Sequence, residues 1–428
     1  MTRPDVGDVA DLLARDDSAR RALQKRVLTV VVVSQVLGGA GLAAGITVGA
    51  LLAEEMLGTS SLAGLPVGLF TLGSALSAFL VGRLSQRAGR RVGLGAGFAA
   101  GGLGAAGVVL AAVTANVVLL FASLFVYGAG TATNLQARYA GTDLALPAER
   151  GKAISVALVS TTFGAVAGPN LVEPLGRFAT TLGIPPLAGP FLLAGAAFLA
   201  AGAVLVALLR PDPFLVARHL AATTTAPESE PPRGTGAGVA VGATVMLLTQ
   251  VAMVAIMTMT PVHMRAHGHA LGAVGLVIGV HVGAMFLPSP LTGALVDKVG
   301  RVPMAVASGV ILLLAGVTAA VAPGDSLGLL ILALALLGLG WNVGVITGTA
   351  LVVDATVPEN RARTQGAVDV LIALGGAGGG AMSGVVVAGT SFAGLALAGG
   401  VLALLLVPAV VVHRRAAARP APLQAGPS

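Results

Sequence analysis

Long apolar runs broken by short polar loops dominate the chain. A helix crossing about 30 Å of hydrocarbon needs about 20 apolar residues, and twelve runs meet that length: 27–53, 61–82, 92–112, 117–140, 153–172 and 187–209, then 239–260, 271–287, 302–321, 327–353, 366–389 and 391–412. The longest polar stretch, 210–238, lies between the sixth and seventh runs, and its Pro, Thr and Glu content reads as a linker. Each run reads as a helix because a lipid-exposed backbone must satisfy its own hydrogen bonds. The expected fold is an all-α integral membrane protein of twelve transmembrane helices. Composition agrees: 56% of the 428 residues are hydrophobic, 10% are charged and the mean hydropathy is +0.93, whereas soluble domains carry about 25% charge.

Net charge is +7, which by itself would admit a nucleic-acid partner. The placement of the charge excludes one. With the N-terminus inside, 22 of the 25 Lys and Arg fall in segments on the inner side, Arg177 and Arg265 fall outside and Arg138 lies within a span. That bias is the positive-inside signature. It predicts a multi-pass protein of a bacterial-type cell membrane with both termini cytoplasmic and the lipid bilayer as its surroundings. No cysteine is present, so disulfides, thiolate metal sites and lipidated cysteines are excluded. Residues 1–26 are too polar for a signal peptide. They read as either a short amphipathic surface helix or a solvated tail.

An internal repeat divides the spans. The loop GRLSQRAGRR (Gly82–Arg91) recurs as GALVDKVGRV (Gly293–Val302), an offset of 211 that also carries Asp143 to Asp354, Pro147 to Pro358, Arg150 to Arg361, Gly164 to Gly375 and Gly168 to Gly379. The chain therefore reads as residues 1–26, a six-helix bundle over 27–209, the linker 210–238, a second bundle over 239–412 and a tail over 413–428. Two parallel repeats imply a site near the midplane, between the halves, that opens alternately to each side.

These features resemble the major facilitator superfamily along essentially the whole chain. Its loop pattern is met by Gly82, Leu84, Arg87, Gly89, Arg90 and Arg91, with Gln86 where the family usually has Asp. The second copy, with Gly293, Leu295, Asp297, Lys298, Gly300 and Arg301, retains the acid. The resemblance implies two pseudo-symmetric six-helix bundles, secondary transport of a small molecule and a monomer. Span 5 carries Gly164-x-x-x-Gly168-Pro169, similar to part of the family's antiporter motif, but Leu124 in span 4 replaces the arginine of drug–proton antiporters.

Charged loop residues are candidates for a cytoplasmic gate: Arg87, Arg90, Asp143, Asp297, Arg301 and Asp354. Arg90 is placed to reach Asp143, and Arg301 to reach Asp354. With Gln86 uncharged, the first latch is expected to be weaker than the second. Charges inside spans are costly and mark function. The inner ends of spans 4, 5, 10 and 11 meet in the superfamily's architecture, so Arg138 is expected to bridge the halves to Asp369. For proton coupling the candidates are His281, deep in span 8, Asp369 and Glu173; imidazole titrates in the useful range. His263-Met-Arg-Ala-His267-Gly-His269 is too loose a spacing, with no carboxylate beside it, to be assigned a metal. In the resemblance, spans 1, 4, 7 and 10 line the substrate cavity, which selects Gln35, Asn134, Met246, Gln250, Met253, Met257, Trp341 and Asn342. Methionines recurring on one helix face give an adaptable apolar surface.

The absence of a nucleotide-binding loop points away from an ATP-driven motor or an enzyme, and no cofactor is implied. The expected function is proton-coupled transport by alternating access, with efflux of small amphiphilic or cationic compounds favoured, uptake of a nutrient as the alternative, and a non-transporting receptor as the reading of another class.

Overall fold

A computed structural model describes residues 6–57, 64–224 and 236–406. Sixteen α-helices run in the order α1 (Val6–Arg15), α2 (Asp17–Leu57), α3 (Gly64–Ala88), α4 (Arg90–Val113), α5 (Val117–Ala140), α6 (Arg150–Asn170), α7 (Val172–Thr181), α8 (Gly189–Leu208), α9 (Pro213–Thr224), α10 (Gly236–Ala266), α11 (Leu271–Phe286), α12 (Ser289–Val299), α13 (Arg301–Val321), α14 (Leu327–Asp354), α15 (Arg361–Gly389) and α16 (Phe392–Leu404). No strand occurs among the described residues. Among the described residues, ten segments are long and apolar enough to span a membrane, with α11 and α12 counted together as one span over Ala273–Val299. The fifth and twelfth runs correspond to α6 and α16.

Proline and glycine set the breaks. The eighth span is interrupted at Leu287-Pro288, where Pro288 and Pro290 bring no backbone donor to the ladder. The tight turn between α3 and α4 passes through Gly89 at φ 88°, and its repeat partner between α12 and α13 passes through Gly300 at φ 103°. Only glycine takes that conformation without strain. At Gly89 a Cβ would also stand 2.3 Å from an Asp212 carboxylate oxygen.

Each half has its own core. In the first half, Tyr127 of α5 is enclosed by Phe70, Phe191 and Phe198, with its hydroxyl donating to the Gly41 carbonyl. In the second, Trp341 of α14 meets Phe286 edge to face among Leu312, Leu334 and Leu337. Two residues of the first half, Ile154 and Leu158 of α6, are packed into the second half's core, so one seam between halves has an apolar stretch.

Outside the spans, α1 and α9 lie together on the face that carries both repeated loops, called here the basic face. Ala10 and Leu13 of α1 are buried against the first half's core, which settles residues 6–15 as a packed amphipathic helix. The stretch read as a linker contains α9; residues 225–235 lie outside the described residues. Asp212 accepts from the backbone N–H of Arg91 at 2.8 Å and of Phe214 at 3.0 Å, joining the first turns of α4 and α9. Burial pushes its carboxyl up from the usual carboxylate range despite these bonds.

Candidate functional site

The two halves meet at the basic face along two seams, α3 and α5 against α15, and α12 against α6. Close approach depends on glycine in both. A Cβ on Gly82 would stand 2.8 Å from the Gly366 Cα, and one on Gly293 would stand 2.3 Å from the Gly151 carbonyl oxygen. Small residues of this kind let helix backbones touch.

Above the first seam lies a buried ion pair between the halves. Arg138 Nη2 is 2.8 Å from Asp369 Oδ1, with both side chains essentially inaccessible. The guanidinium also donates to Thr349 Oγ1 at 3.1 Å, to the Tyr139 hydroxyl at 2.9 Å and to the Leu135 carbonyl. The Tyr139 hydroxyl donates in turn to Asp369 Oδ1 at 3.3 Å. Asp369 Oδ2 has no partner among the described residues. A charge pair in this setting is costly to assemble, and breaking it by removing one member costs about 3–5 kcal/mol.

Below it, Arg90 is the centre of the first latch. Its Nε is 2.9 Å from Asp143 Oδ2, and its Nη2 donates across the seam to Gln365 Oε1 at 2.5 Å. The guanidinium sits between two rings, Phe214 of α9 at 5.4 Å and Tyr139 at 5.8 Å, an arrangement that favours a desolvated cation. The repeat-related latch is built alike but is wetter: Arg301 Nε is 3.0 Å from Asp354 Oδ2, and Arg150 reaches Asp354 Oδ1 at 2.5 Å from the other half. Asp354 is 34% exposed, so solvent and salt screen this pair more strongly.

The equivalent loop residues Asp297 and Gln86 act as helix caps across the seams. Asp297 accepts from the N–H groups of Gly151 and Lys152, both at 2.9 Å, at the start of α6. Gln86 does the same for α15, accepting from Ala362 at 3.0 Å and Arg363 at 3.3 Å. Its amide also donates to the carbonyls of Pro358 at 3.2 Å and Glu359 at 2.7 Å. Ranking the first latch as weaker rested on lost charge alone; the structure adds four backbone hydrogen bonds that the charge argument left out. Arg87 is exposed and makes no ion pair among the described residues.

The remaining candidates separate. Gln35 donates to Thr161 Oγ1 at 3.2 Å, and Thr161 donates to Asn134 at 3.4 Å. Gln35 Oε1 and Asn134 Nδ2 are buried without partners among the described residues. On the other half, Trp341 donates to Gln250 at 2.8 Å, and Met257 and Gln250 are partly exposed, whereas Met246 and Met253 are buried. Asn342, named as a cavity residue, is engaged within its own half. Its amide donates to the Met285 carbonyl and to Ser289, both within 2.8 Å, and accepts from Thr292, so its polar groups are spent inside the second half. His281 is also buried in that half, its Nδ1 2.9 Å from the Leu334 carbonyl and its Nε2 without a partner among the described residues. Glu173 is 83% exposed on α7 beside Arg177, at 3.9 Å.

The outer histidines lie close together without forming a metal cluster. His263 stacks on Phe392 at 4.2 Å and lies 4.3 Å from His267, while His269 Nε2 is 2.8 Å from the Gly324 carbonyl. No group of three metal-binding side chains occurs among the described residues. The environments of Gly164, Gly168 and Pro169 lie outside the described residues. Tyr139 and Gln365 escaped the sequence reading. The 3.6-residue period that places Gln365 one turn before Asp369 was the signal available for it.

Comparison with known proteins agrees with this architecture. The sequence profile of the Major Facilitator Superfamily matches residues 31–241 and 240–427. The chain is 62% identical to the uncharacterized MFS-type transporter YdeG of Bacillus subtilis, over 92% of this chain and 93% of that one. It is 32% identical to the riboflavin transporter RfnT of Brucella anthropi, over 81% and 85%. Among solved structures it is similar in fold to the human organic anion transporter MFSD10, at 17% identity and a TM-score of 0.72, covering 90% of this chain and 99% of that one. The proton:xylose symporter XylE is similar in fold at 15% identity and a TM-score of 0.73, covering 92% and 96%.

Proposed function

The chain belongs to the Major Facilitator Superfamily, and from that premise we propose that it is a proton-coupled secondary transporter that exports a small amphiphilic compound, with Asp369 as the coupling carboxylate. The basic face is taken as cytoplasmic on the positive-inside rule. The observation that carries the proposal is the buried Arg138–Asp369 bridge between the halves. An ionised Asp369 ties the halves together near the basic face; a proton arriving from the opposite side neutralises it, and Arg138 loses its charged partner. The bridge weakens, the latches at Arg90–Asp143 and Arg301–Asp354 part, and the site opens to the cytoplasm, where the proton leaves. Neither Glu173, exposed on α7, nor His281, committed to its own half, fits this role as well. Cargo would lie between Gln35 and Asn134 on one side and Gln250, Trp341 and Met257 on the other. These groups supply little charge and much apolar surface, which suits a neutral or weakly cationic amphiphile.

Vesicles of known orientation under an imposed pH gradient test the proposal. Substrate movement against the proton flow is expected, with Asp369→Asn losing it. Transport by Asp369→Asn that still followed the gradient would refute the coupling role. Uptake is the second reading, favoured by the 32% identity to a riboflavin transporter. A planar amphiphilic heteroaromatic compound would suit Trp341 and the amides opposite, and proton-driven accumulation of riboflavin in the same vesicles separates the two directions.

A further inference from the structure

Helix α15 presents Arg361, Gln365 and Asp369 at successive turns of one face, and all three are buried. A spacing of four residues puts neighbours on the same face, about 6 Å apart along the axis. Asp369 meets Arg138 and Tyr139, while Gln365, one turn nearer the basic face, accepts from Arg90. Tyr139 is beside Arg138 in sequence and under the Arg90 guanidinium in space. The bridge and the latch are thus adjacent rungs, and among the described residues Gln365 is the second-half side chain that hydrogen-bonds to the latch, with the Arg361 charge one turn further along close enough to act on Asp143.

The internal repeat supplies an independent comparison. At the offset of 211, Gln365 corresponds to Ile154 and Asp369 to Leu158, the two α6 residues that pack into the second half's core. A structural filler at these positions is therefore apolar in this protein. Both polar replacements occur together, on the helix that faces Arg90 and Arg138.

We infer that Gln365 is a positioning residue that transmits the charge state of Asp369 to the Arg90–Asp143 latch. This rests on the reading of Asp369 as the coupling carboxylate. While Asp369 is ionised, α15 is held against α5 and Gln365 keeps its oxygen on Arg90. When protonation frees α15 from Arg138, Gln365 is withdrawn and Arg90 loses its only side-chain acceptor from the second half among the described residues. The charged or titratable groups facing Asp369 are Arg138 and Tyr139 from α5 and, through Gln365, Arg90 from α4. Arg83 and Arg87 of α3 are exposed, Asp354 of α14 is committed to Arg150 and Arg301, and α10 brings no charge to this seam.

Because the chain has no cysteine, a single reporter reads the gate directly. Ala78 is buried on α3 and its backbone carbonyl lies beside Gly366 of α15, so Ala78→Cys places a thiol at this seam, and its labelling from the basic face is followed from mildly alkaline to mildly acidic pH in the full-length protein. Otherwise unaltered protein should label roughly tenfold faster in acid, within the usual range of coupling between sites. Gln365→Leu, close in shape but lacking the acceptor, should label fast at both pH values. Gln365→Glu, which keeps an acceptor for Arg90, should stay slow in alkali and retain the acid response. A filler role predicts the reverse, with leucine tolerated and glutamate disruptive, and that result would overturn the inference. A normal acid response in Gln365→Leu would overturn it too, while leaving the coupling reading intact. An acid response that survives Asp369→Asn would instead remove the coupling reading, and the inference with it.

Discussion

Replacing Gln86 by leucine gives the most direct measure of what holds the basic face shut. The side chain makes four hydrogen bonds across the seam, two accepted from the N–H groups of Ala362 and Arg363 and two donated to the carbonyls of Pro358 and Glu359. Two of the four are solvent-exposed, so the low end of the net value for a protein hydrogen bond applies, about 0.5 kcal/mol each. Their loss then favours the open state by about 2 kcal/mol, which is about 30-fold in an equilibrium constant. All of these bonds cross between halves, so the change should leave the folding of either half largely unaffected and appear in the opening equilibrium. Labelling of the Ala78→Cys reporter from the basic face should therefore rise by about that factor in Gln86→Leu, with little change in melting temperature. Gln86→Asp should fall between the two, because a carboxylate regains the cap and gains from the helix N-terminus by about 0.3–1 kcal/mol but loses both donated bonds. Labelling in Gln86→Leu indistinguishable from the parent would show that these bonds do not bias the gate.

Other expectations follow from single contacts. Arg138→Asp and Asp369→Arg should each abolish transport by leaving a charge buried and unpaired, at about 3–5 kcal/mol, and the double exchange should recover part of it; no recovery in a flux assay would argue against a direct pair. Asp297→Asn should weaken the capping of α6 by about 1 kcal/mol or less, since the amide oxygen still accepts from one N–H, and basic-face labelling should increase less than in Gln86→Leu. Gly89→Ala should lower the melting temperature, because φ 88° disfavours a side chain and the Asp212 carboxylate occupies its place, a strain of about 1–3 kcal/mol; an unchanged melting curve would contradict this. His281→Gln should keep pH-dependent transport, since the imidazole is bonded to Leu334 within one half, and loss of that dependence would return His281 to the coupling mechanism.

What the sequence disclosed and what it concealed differ in physical origin. Span lengths, the offset of 211 and the charge bias are written in single-residue properties, so twelve spans and two halves could be read directly. The Arg90–Asp143 contact was accessible from the repeated loop and the acid that follows span 4, and the Arg138–Asp369 contact from two charges inside spans whose inner ends the superfamily's architecture brings together. Neutral amides carry no such obligation. From sequence Gln86 shows only a missing charge, although an amide can cap a helix and donate to carbonyls at once, and nothing in the residue type of Asn342 announces the hydrogen bonds it makes at the break between α11 and α12. Gln365 lay one turn from a residue already singled out, yet its importance depends on Arg90 arriving from 275 positions away in sequence. The repeat narrows that gap. Where two copies share a scaffold, a polar pair in one facing an apolar pair in the other, as Gln365 and Asp369 stand to Ile154 and Leu158, marks the place where the copies stopped doing the same work. An apolar pair packs at these positions in the first copy, so packing alone does not call for the polar pair in the second, and the proposal that this seam opens in response to a proton gives Gln365 and Asp369 a reason to be polar.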